Sequence, residues 1–226
     1  MKIVFFGTPH FGALILEKLC QSEYKPSSGR WPNGPFRPVL VITALDKPVG
    51  RKQVITPPPV KVVAEKYKIS FGEITAIDNL KSLNPDLIIV AAYGKLLPKE
   101  ILEIPKYGCL NVHPSLLPKY RGPSPIQYAI LNGDQETGVT IILMDEKMDH
   151  GPILANSKIE IDDFEIDYPN LHNKLAQLGS DLLIETIPKW INGEIQPQTQ
   201  DEAIATFTKI IKKEDGKIDW KKTAET

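Results

Sequence analysis

The sequence predicts an α/β fold whose centre is an open, mostly parallel, twisted sheet with helices on both faces. An apolar run at the start, Lys2–Phe6, is followed by apolar residues at helical spacing between Phe11 and Leu19. A strand, a loop and a helix in this order are typical of the opening of an α/β fold. Further along, Asp86–Ala92 is apolar almost throughout, as expected for a strand covered on both faces of a parallel sheet. Together the two segments indicate a Rossmann-like architecture.

The remaining elements agree with this fold class and add an antiparallel edge. The further predicted strands are Val39–Thr43, Ile69–Phe71, Cys109–His113, Gly138–Met144 and Ile153–Ile161, and the further predicted helices are Val60–Tyr67, Pro125–Asn132 and Tyr168–Asn192. The loop Asp145–Pro152 is too short to hold a crossover helix. We therefore expect the two strands beside it, in the C-terminal half, to be antiparallel.

Other stretches are predicted to lack regular structure. Ser22–Pro38 contains four prolines and two glycines and is interpreted as a long surface loop, and Ala44–Pro59 is interpreted as irregular. The chain ends in a charged run, Lys209–Lys222. We expect a catalytic domain over residues 1–205 and a linker over residues 206–226.

Composition limits the function classes. The 226 residues carry 27 basic and 28 acidic side chains, so no global basic field points to nucleic acid. Cys20 and Cys109 both lie in apolar segments, which fits buried thiols in a reducing compartment better than a disulfide framework. The N-terminal apolar run is too short for a signal peptide, and no run is long enough to span a bilayer. We expect a cytoplasmic protein.

The strongest chemical signal is Asn111-Val112-His113 at the end of a predicted strand. Side chains alternate along a strand, so Asn111 and His113 point to one side and Val112 to the other. Ligands of open α/β sheets bind at the carboxyl ends of the strands. The loops predicted at those ends are Tyr93–Pro98, His113–Gly122 and Asp145–Gly151, and they bring Asp149 into reach of both side chains. An amide and an imidazole beside a carboxylate suit attack of an amine on an activated acyl group, by direct transfer.

Each of these residues also has a structural interpretation. His113 could be a hydrogen-bonded histidine at a strand end, Asn111 could cap a turn, and Asp149 could be an ordinary turn aspartate. Ser115 lacks the Gly-x-Ser-x-Gly turn that exposes a hydrolase serine, and is interpreted as a hydrogen-bonding residue of its loop.

Nicotinamide and metal chemistry find little support in the sequence. The first loop, Gly7–Gly12, is not Gly-x-Gly-x-x-Gly, because Pro9 and Phe11 stand where a dinucleotide needs close backbone approach. None of the four histidines has a second metal ligand beside it at helical spacing. We expect no metal.

Several motifs together resemble the folate-dependent formyltransferases. The family signature, Asn-x-His followed by Ser-Leu-Leu-Pro and a later Asp-x-Gly, is similar to Asn111–Pro118 and Asp149–Gly151. The motifs most similar to the members that act on methionyl-tRNA are Phe6–Phe11, Asp46–Arg51, Pro58–Lys61, Ala92–Pro98, Pro125–Gln127, Glu136–Thr140 and Lys217–Trp220. The resemblance covers nearly the whole chain and implies the formyltransferase fold.

The resemblance implies a role for each position of the triad. His113 would stabilise and help to protonate the tetrahedral intermediate formed when an amine attacks the formyl group of 10-formyltetrahydrofolate. Asn111 would hold the formyl oxygen, and Asp149 would tune His113 and assist proton transfer. The residues implied to bind the folate are Tyr93, Gly94, Lys95, Leu96, Leu97, Ser115, Leu116, Leu117, Pro118, Met144, Asp145 and Glu146.

The same resemblance implies that the amine is the α-amino group of initiator methionyl-tRNA. The residues implied to approach the acceptor end of the tRNA are Asp46, Lys47, Arg51 and Lys52. It further implies that the linker leads into a C-terminal barrel-like domain. We expect a monomer. The alternatives are a formyltransferase for an amino-sugar nucleotide or another small amine, and a folate- or RNA-binding module without catalysis.

Overall fold

The computed structural model describes residues 1–22, 36–73, 77–161, 167–218, 220–221 and 223. Its strands are β1 Ile3–Gly7, β2 Leu40–Ile42, β3 Lys47–Val49, β4 Val54–Thr56, β5 Ser70–Gly72, β6 Leu87–Ala91, β7 Cys109–His113, β8 Glu136–Leu143 and β9 Ile153–Glu160. Its α-helices are α1 His10–Gln21, α2 Pro59–Lys66, α3 Ile77–Leu83, α4 Lys99–Leu102, α5 Pro125–Leu131 and α6 Tyr168–Ile191.

The main sheet has seven strands in the order β5-β2-β1-β6-β7-β8-β9. The strands from β5 to β7 are parallel, whereas β8 runs antiparallel to β7 and β9 antiparallel to β8. The predicted mixed sheet and its antiparallel edge are therefore confirmed. This order places the carboxyl ends of β1, β6 and β7 side by side.

Strand β6 shows why the apolar run was a good predictor. It pairs in parallel with β1 on one side and β7 on the other, and all five of its residues are buried. Ile89 belongs to a core cluster that holds residues of α1, α2, α5 and α6, and Ile88 and Val90 belong to a second cluster with Leu80 of α3 and Ile101 of α4. Both faces of the sheet are thus covered by helices, as the sequence predicted.

One irregular stretch was predicted wrongly. Residues 44–59 contain the antiparallel hairpin β3–β4, which pairs Lys47 with Thr56 and Val49 with Val54. Every residue of both strands is exposed, so the burial pattern that identifies a strand is missing. Pro48 also stands inside β3, which is tolerated because β3 belongs to a separate two-stranded sheet with free edges.

Helices α3 and α4 were not predicted; they have seven and four residues, too few to show a clear helical period. The predicted loop over residues 22–38 lies mostly outside the described residues, but Phe36 near its end is buried in the larger core cluster.

Both cysteines are buried free thiols, and burial raises the pKa of Cys20 to about 11 and that of Cys109 to about 12.

Candidate active site

The polar pair stands at the carboxyl end of β7, in the middle of the sheet. Val112 points into the larger core cluster, where a Cβ atom at Gly179 of α6 would lie 2.8 Å from its Cγ1 atom. The glycine therefore lets α6 pack closely against β7. With Val112 held on that face, alternation turns Asn111 and His113 to the opposite face.

Asp149 lies in contact with both members of the pair. Its Oδ1 atom accepts a hydrogen bond of 3.2 Å from the Asn111 amide and lies 3.5 Å from Nδ1 of His113. Its Oδ2 atom accepts a bond of 2.8 Å from the backbone N–H of Gly122. The side chain of Asp149 is only 14% exposed, so the carboxylate is held at the edge of the interior. The structure thus brings together the three residues that the sequence singled out.

The second ring nitrogen of His113 determines the tautomer. Nε2 lies 2.9 Å from the backbone oxygen of Tyr120. A carbonyl oxygen can only accept a hydrogen bond, so Nε2 carries a proton. Nδ1 is consequently the nitrogen that faces Asp149 and that can take up or release a proton.

The loop that carries Asp149 is shaped by its neighbours. Asp149 itself adopts a left-handed backbone conformation, with φ at 50°. A Cβ atom at Gly151 would lie 1.9 Å from the backbone oxygen of Leu143, so no side chain fits at this position. His150 turns away from the pair, with Nδ1 2.5 Å from the carboxylate of Asp145. The close approach of the Leu143 backbone therefore explains why the Asp-x-Gly motif needs glycine at this position.

The loop that carries Asp149 is also held by a group of residues that the sequence did not indicate. The guanidinium of Arg121 is bonded to Gln200 and Glu202, and the Gln200 amide is bonded to the backbone of Asp149 and Gly151. The hydrogen bonds from Arg121 lower the pKa of Glu202. Arg121 lies in the predicted loop His113–Gly122 and could have drawn attention, whereas Gln200 lies in a polar stretch without a motif.

The first group of predicted folate residues lies in the loop after β6. Tyr93 and Leu97 are buried in the smaller core cluster, and the Tyr93 ring meets that of Phe6 edge-on at 5.1 Å. Burial raises the pKa of the Tyr93 hydroxyl. Gly94 turns the chain with φ at 78°, while Lys95 and Leu96 are exposed. Only the exposed side chains and the backbone of this loop are thus open to a ligand, and their role in folate binding stays a prediction.

The second predicted group follows β7 and faces β8. The hydroxyl of Ser115 donates to the backbone oxygen of Lys119, and the backbone N–H of Leu117 donates to the hydroxyl of Thr140. Ser115 and Leu117 are buried, whereas Leu116 and Pro118 are half-buried. These contacts make Ser115 a hydrogen-bonding residue of its loop, and a folate role for residues 115–118 stays a prediction.

The third predicted group follows β8. The backbone N–H of Met144 donates to the oxygen of Cys109, so the loop begins beside β7. The Asp145 carboxylate is occupied by His150, and Glu146 lies 3.8 Å from Nζ of Lys99. Both side chains therefore have partners within the chain, and their contact with folate stays a prediction.

The residues predicted to bind tRNA lie on the hairpin β3–β4, except Asp46, which directly precedes β3. Asp46 is paired with Lys61 at 2.8 Å. Lys47 stands in β3, and Arg51 and Lys52 stand in the turn between β3 and β4. These three cations are exposed, so the turn presents positive charge to solvent.

Among the residues that the structure describes, no three His, Cys, Asp or Glu side chains group closely enough to hold a metal ion. In the same residues, no helix is both long and apolar enough to cross a membrane.

Comparison with known proteins identifies the family. The sequence profile of the family described as Formyl transferase matches residues 1–187. The chain is 46% identical over its whole length to the methionyl-tRNA formyltransferase of Halalkalibacterium halodurans, of which it covers 69%. It is 47% identical to the methionyl-tRNA formyltransferase of Caldicellulosiruptor saccharolyticus, with 99% of this chain and 70% of that protein aligned.

Solved structures agree with this assignment. The phosphoribosylglycinamide formyltransferase of Bacillus halodurans aligns with a TM-score of 0.67 at 26% identity, over 86% of this chain and 97% of that one. An N-formyltransferase of Helicobacter canadensis, solved with folinic acid and dTDP-3-aminofucose, aligns with a TM-score of 0.68 over 99% of this chain and 77% of that one. Its identity of 22% supports the fold alone. The chain therefore belongs to the formyl transferase family, as its motifs predicted.

Proposed function

We propose that this protein transfers the formyl group of 10-formyltetrahydrofolate to the α-amino group of methionyl initiator tRNA. The observation that carries the chemistry is the contact of one carboxylate, Asp149, with both Asn111 and His113. The choice of acceptor is supported by the full-length similarity to methionyl-tRNA formyltransferases.

The proposed reaction forms one C–N bond and breaks another. The amine nitrogen attacks the formyl carbon, and the formyl oxygen takes up negative charge in the tetrahedral intermediate. An N–H of Asn111 and a protonated Nδ1 of His113 would donate to that oxygen. The bond to N10 of the folate then breaks, and N10 takes the proton that Nδ1 of His113 supplies. The attacking amine gives up a proton to Asp149, directly or through water, and that proton restores Nδ1 of His113.

Direct attack is favoured by the surroundings of the triad. The Ser115 hydroxyl is turned to the backbone of Lys119, and the Cys109 thiol is buried at the other end of β7. Neither is placed to form an acyl-enzyme with a substrate at Asn111 and His113. The folate would enter between residues 93–97 and 144–149, which border the triad at the carboxyl edge of the sheet.

The hairpin supplies the proposed contact with the acceptor end of the tRNA. Arg51 and Lys52 are exposed cations at its turn, and cations of this kind contribute salt-dependent contacts with phosphates.

We further propose that the protein acts as a monomer in the cytoplasm. The proposed domain boundary near residue 205 is better drawn after Thr208, because Thr206 and Thr208 bond to Tyr120 and Arg121.

The function is tested by formylation assays with three acceptors. Purified protein and 10-formyltetrahydrofolate are incubated with methionyl initiator tRNA, with an amino-sugar nucleotide and with glycinamide ribonucleotide. We expect formylation of the tRNA only, and its loss in the H113A variant. Formylation of the sugar nucleotide alone would assign the protein to the other acceptor class, and folate binding without transfer would make it a binding module.

A further inference from the structure

We propose that Gln200 is a positioning residue for Asp149, and that residues 200–208, here called the strap, hold the triad in its working geometry. The strap lies beyond residues 1–187, which the family profile matches. The inference rests on the proposed function in one respect, namely that Asn111, His113 and Asp149 carry out formyl transfer.

The Gln200 amide is fixed by hydrogen bonds at both of its polar atoms. Nε2 donates to the backbone oxygen of Asp149 at 2.9 Å and to that of Gly151 at 2.8 Å. Oε1 accepts from Nε of Arg121 at 3.0 Å. Gln200 is 5% exposed, so water does not replace these bonds. Both hydrogens of Nε2 are thus directed at the turn that carries the catalytic carboxylate.

Arg121 anchors Gln200 from the other side. It is only 2% exposed and forms a bidentate pair with Glu202, with bonds of 3.0 Å from Nη1 and 2.6 Å from Nη2. A paired, planar guanidinium holds a fixed orientation better than a flexible ammonium would. The chain of contacts therefore runs from Glu202 through Arg121 and Gln200 to the backbone of Asp149.

The strap also pairs with the backbone that contacts the triad. The N–H of Arg121 donates to the oxygen of Thr206, and the N–H of Thr208 donates to the oxygen of Arg121, both at 2.8 Å. The peptide between Tyr120 and Arg121 thus gives its N–H to the strap and its oxygen to Nε2 of His113. The next N–H, that of Gly122, donates to Asp149. One short backbone segment, fixed by the strap, therefore contacts two members of the triad.

The backbone conformation of Asp149 explains why the hydrogen bonds from Gln200 matter. A left-handed backbone is strained for a residue other than glycine, so the turn needs contacts with neighbouring residues to keep this conformation. Gln200 supplies that support at the carbonyl groups on both sides of His150. Without it, we expect the turn to relax and the carboxylate to move away from Nδ1 of His113.

The first test is the kinetics of the Q200M variant, in which a side chain of similar length lacks the amide. We expect kcat for methionyl-tRNA to fall between about 10-fold and 100-fold, the loss that follows a small displacement of a reacting group. KM for both substrates should stay within about twofold of wild type, since Gln200 contributes to alignment and not to binding. The matched control is Q198M, because the Gln198 side chain is exposed and its residue is held by backbone bonds to Ile153. This control should keep wild-type kinetics.

The second test measures the His113 ring without any substrate. Long-range ¹H–¹⁵N correlation spectra of imidazole report which nitrogen is protonated and how the ring titrates. The titratable group beside the ring is Asp149, and the neighbouring His150 has Asp145 and Glu202 as its own partners. H113Q and H150Q variants assign the signals. We expect the titration of His113 to shift in Q200M and to remain unchanged in Q198M. A purely structural role of Gln200 would lower thermal stability and leave this titration where it is.

The outcomes separate this inference from the proposed function. If the wild-type protein formylates another acceptor, the spectra still decide whether Gln200 controls the triad. If Q200M does not fold, E202Q takes its place, because the Glu202 side chain is 60% exposed and glutamine keeps one acceptor for the buried Arg121 while it breaks the bidentate pair. A folded Q200M or E202Q variant with wild-type kcat and an unshifted His113 titration would overturn the proposal.

Discussion

The Nε2 atom of His113 lies 2.9 Å from the backbone oxygen of Tyr120, and this contact decides which ring nitrogen faces Asp149. The tautomer follows from the carbonyl, which cannot donate. The ring thus has one nitrogen with a structural partner and one nitrogen, Nδ1, left for proton transfer. Substitutions at His113 can separate these two roles.

The first prediction compares H113A with H113Q. Glutamine can place its own Nε2 near the Tyr120 oxygen, whereas alanine loses both nitrogens. We expect both variants to lower formyl transfer by at least about 10²-fold, the low end for a positioned acid–base group. H113Q should keep more of the wild-type stability in urea unfolding. Transfer at the wild-type rate in either folded variant would remove His113 from the mechanism.

The second prediction concerns Gly151. A methyl group there would meet the Leu143 oxygen at 1.9 Å, so the turn has to move and take Asp149 with it. We expect G151A to lose about 1–3 kcal/mol of unfolding free energy, the usual cost of overpacking, and to lose most of its formyl transfer. Denaturant unfolding and initial rates measure the two effects.

A glycine elsewhere provides the control for this variant. A Cβ atom at Gly216 would have no heavy atom within 4 Å, and its backbone is not left-handed. G216A should therefore match the wild-type protein in stability and rate. Equal behaviour of G151A and G216A would show that the turn tolerates a side chain.

The sequence indicated the sheet and the triad because both leave local signals. The apolar residues of β6 reveal burial on two faces, and alternation along β7 places Asn111 and His113 on one side. The hairpin β3–β4 was missed because its residues are exposed and carry no periodic pattern. Gln200 was missed for a different reason. Its role depends on contacts with residues about fifty and eighty positions away, Asp149 and Arg121, which no local pattern encodes.

The third prediction concerns the hairpin turn. If Arg51 contacts a phosphate of the tRNA, R51A should lower kcat/KM for tRNA while KM for the folate stays within about twofold. The dependence of log kcat/KM on log salt should become shallower by about one unit of slope, since one phosphate contact is lost. The matched control is K81A, which removes a positive charge from α3. Equal changes for both substrates would point to a structural role for Arg51.

The fourth prediction is a pH dependence of stability that originates at His172. This residue is buried on α6, where its ring stacks on that of His10 at 5.5 Å and lies beside Phe11 and Tyr168. Burial lowers its pKa from 6.5, and the charge of His10 adds to the effect, whereas a bond with Asn173 opposes it. A base with a lowered pKa in the folded state binds fewer protons there than in the unfolded chain.

The sign of the effect follows from that difference in bound protons. The contribution of His172 is fully present above pH 6.5 and is lost as the pH falls below 6.5 towards the folded-state pKa. We expect the free energy of unfolding of H172F to decline less than that of wild type between pH 7.5 and pH 5, as measured in urea. Parallel pH profiles for wild type and H172F would show that the ring charges equally easily in both states.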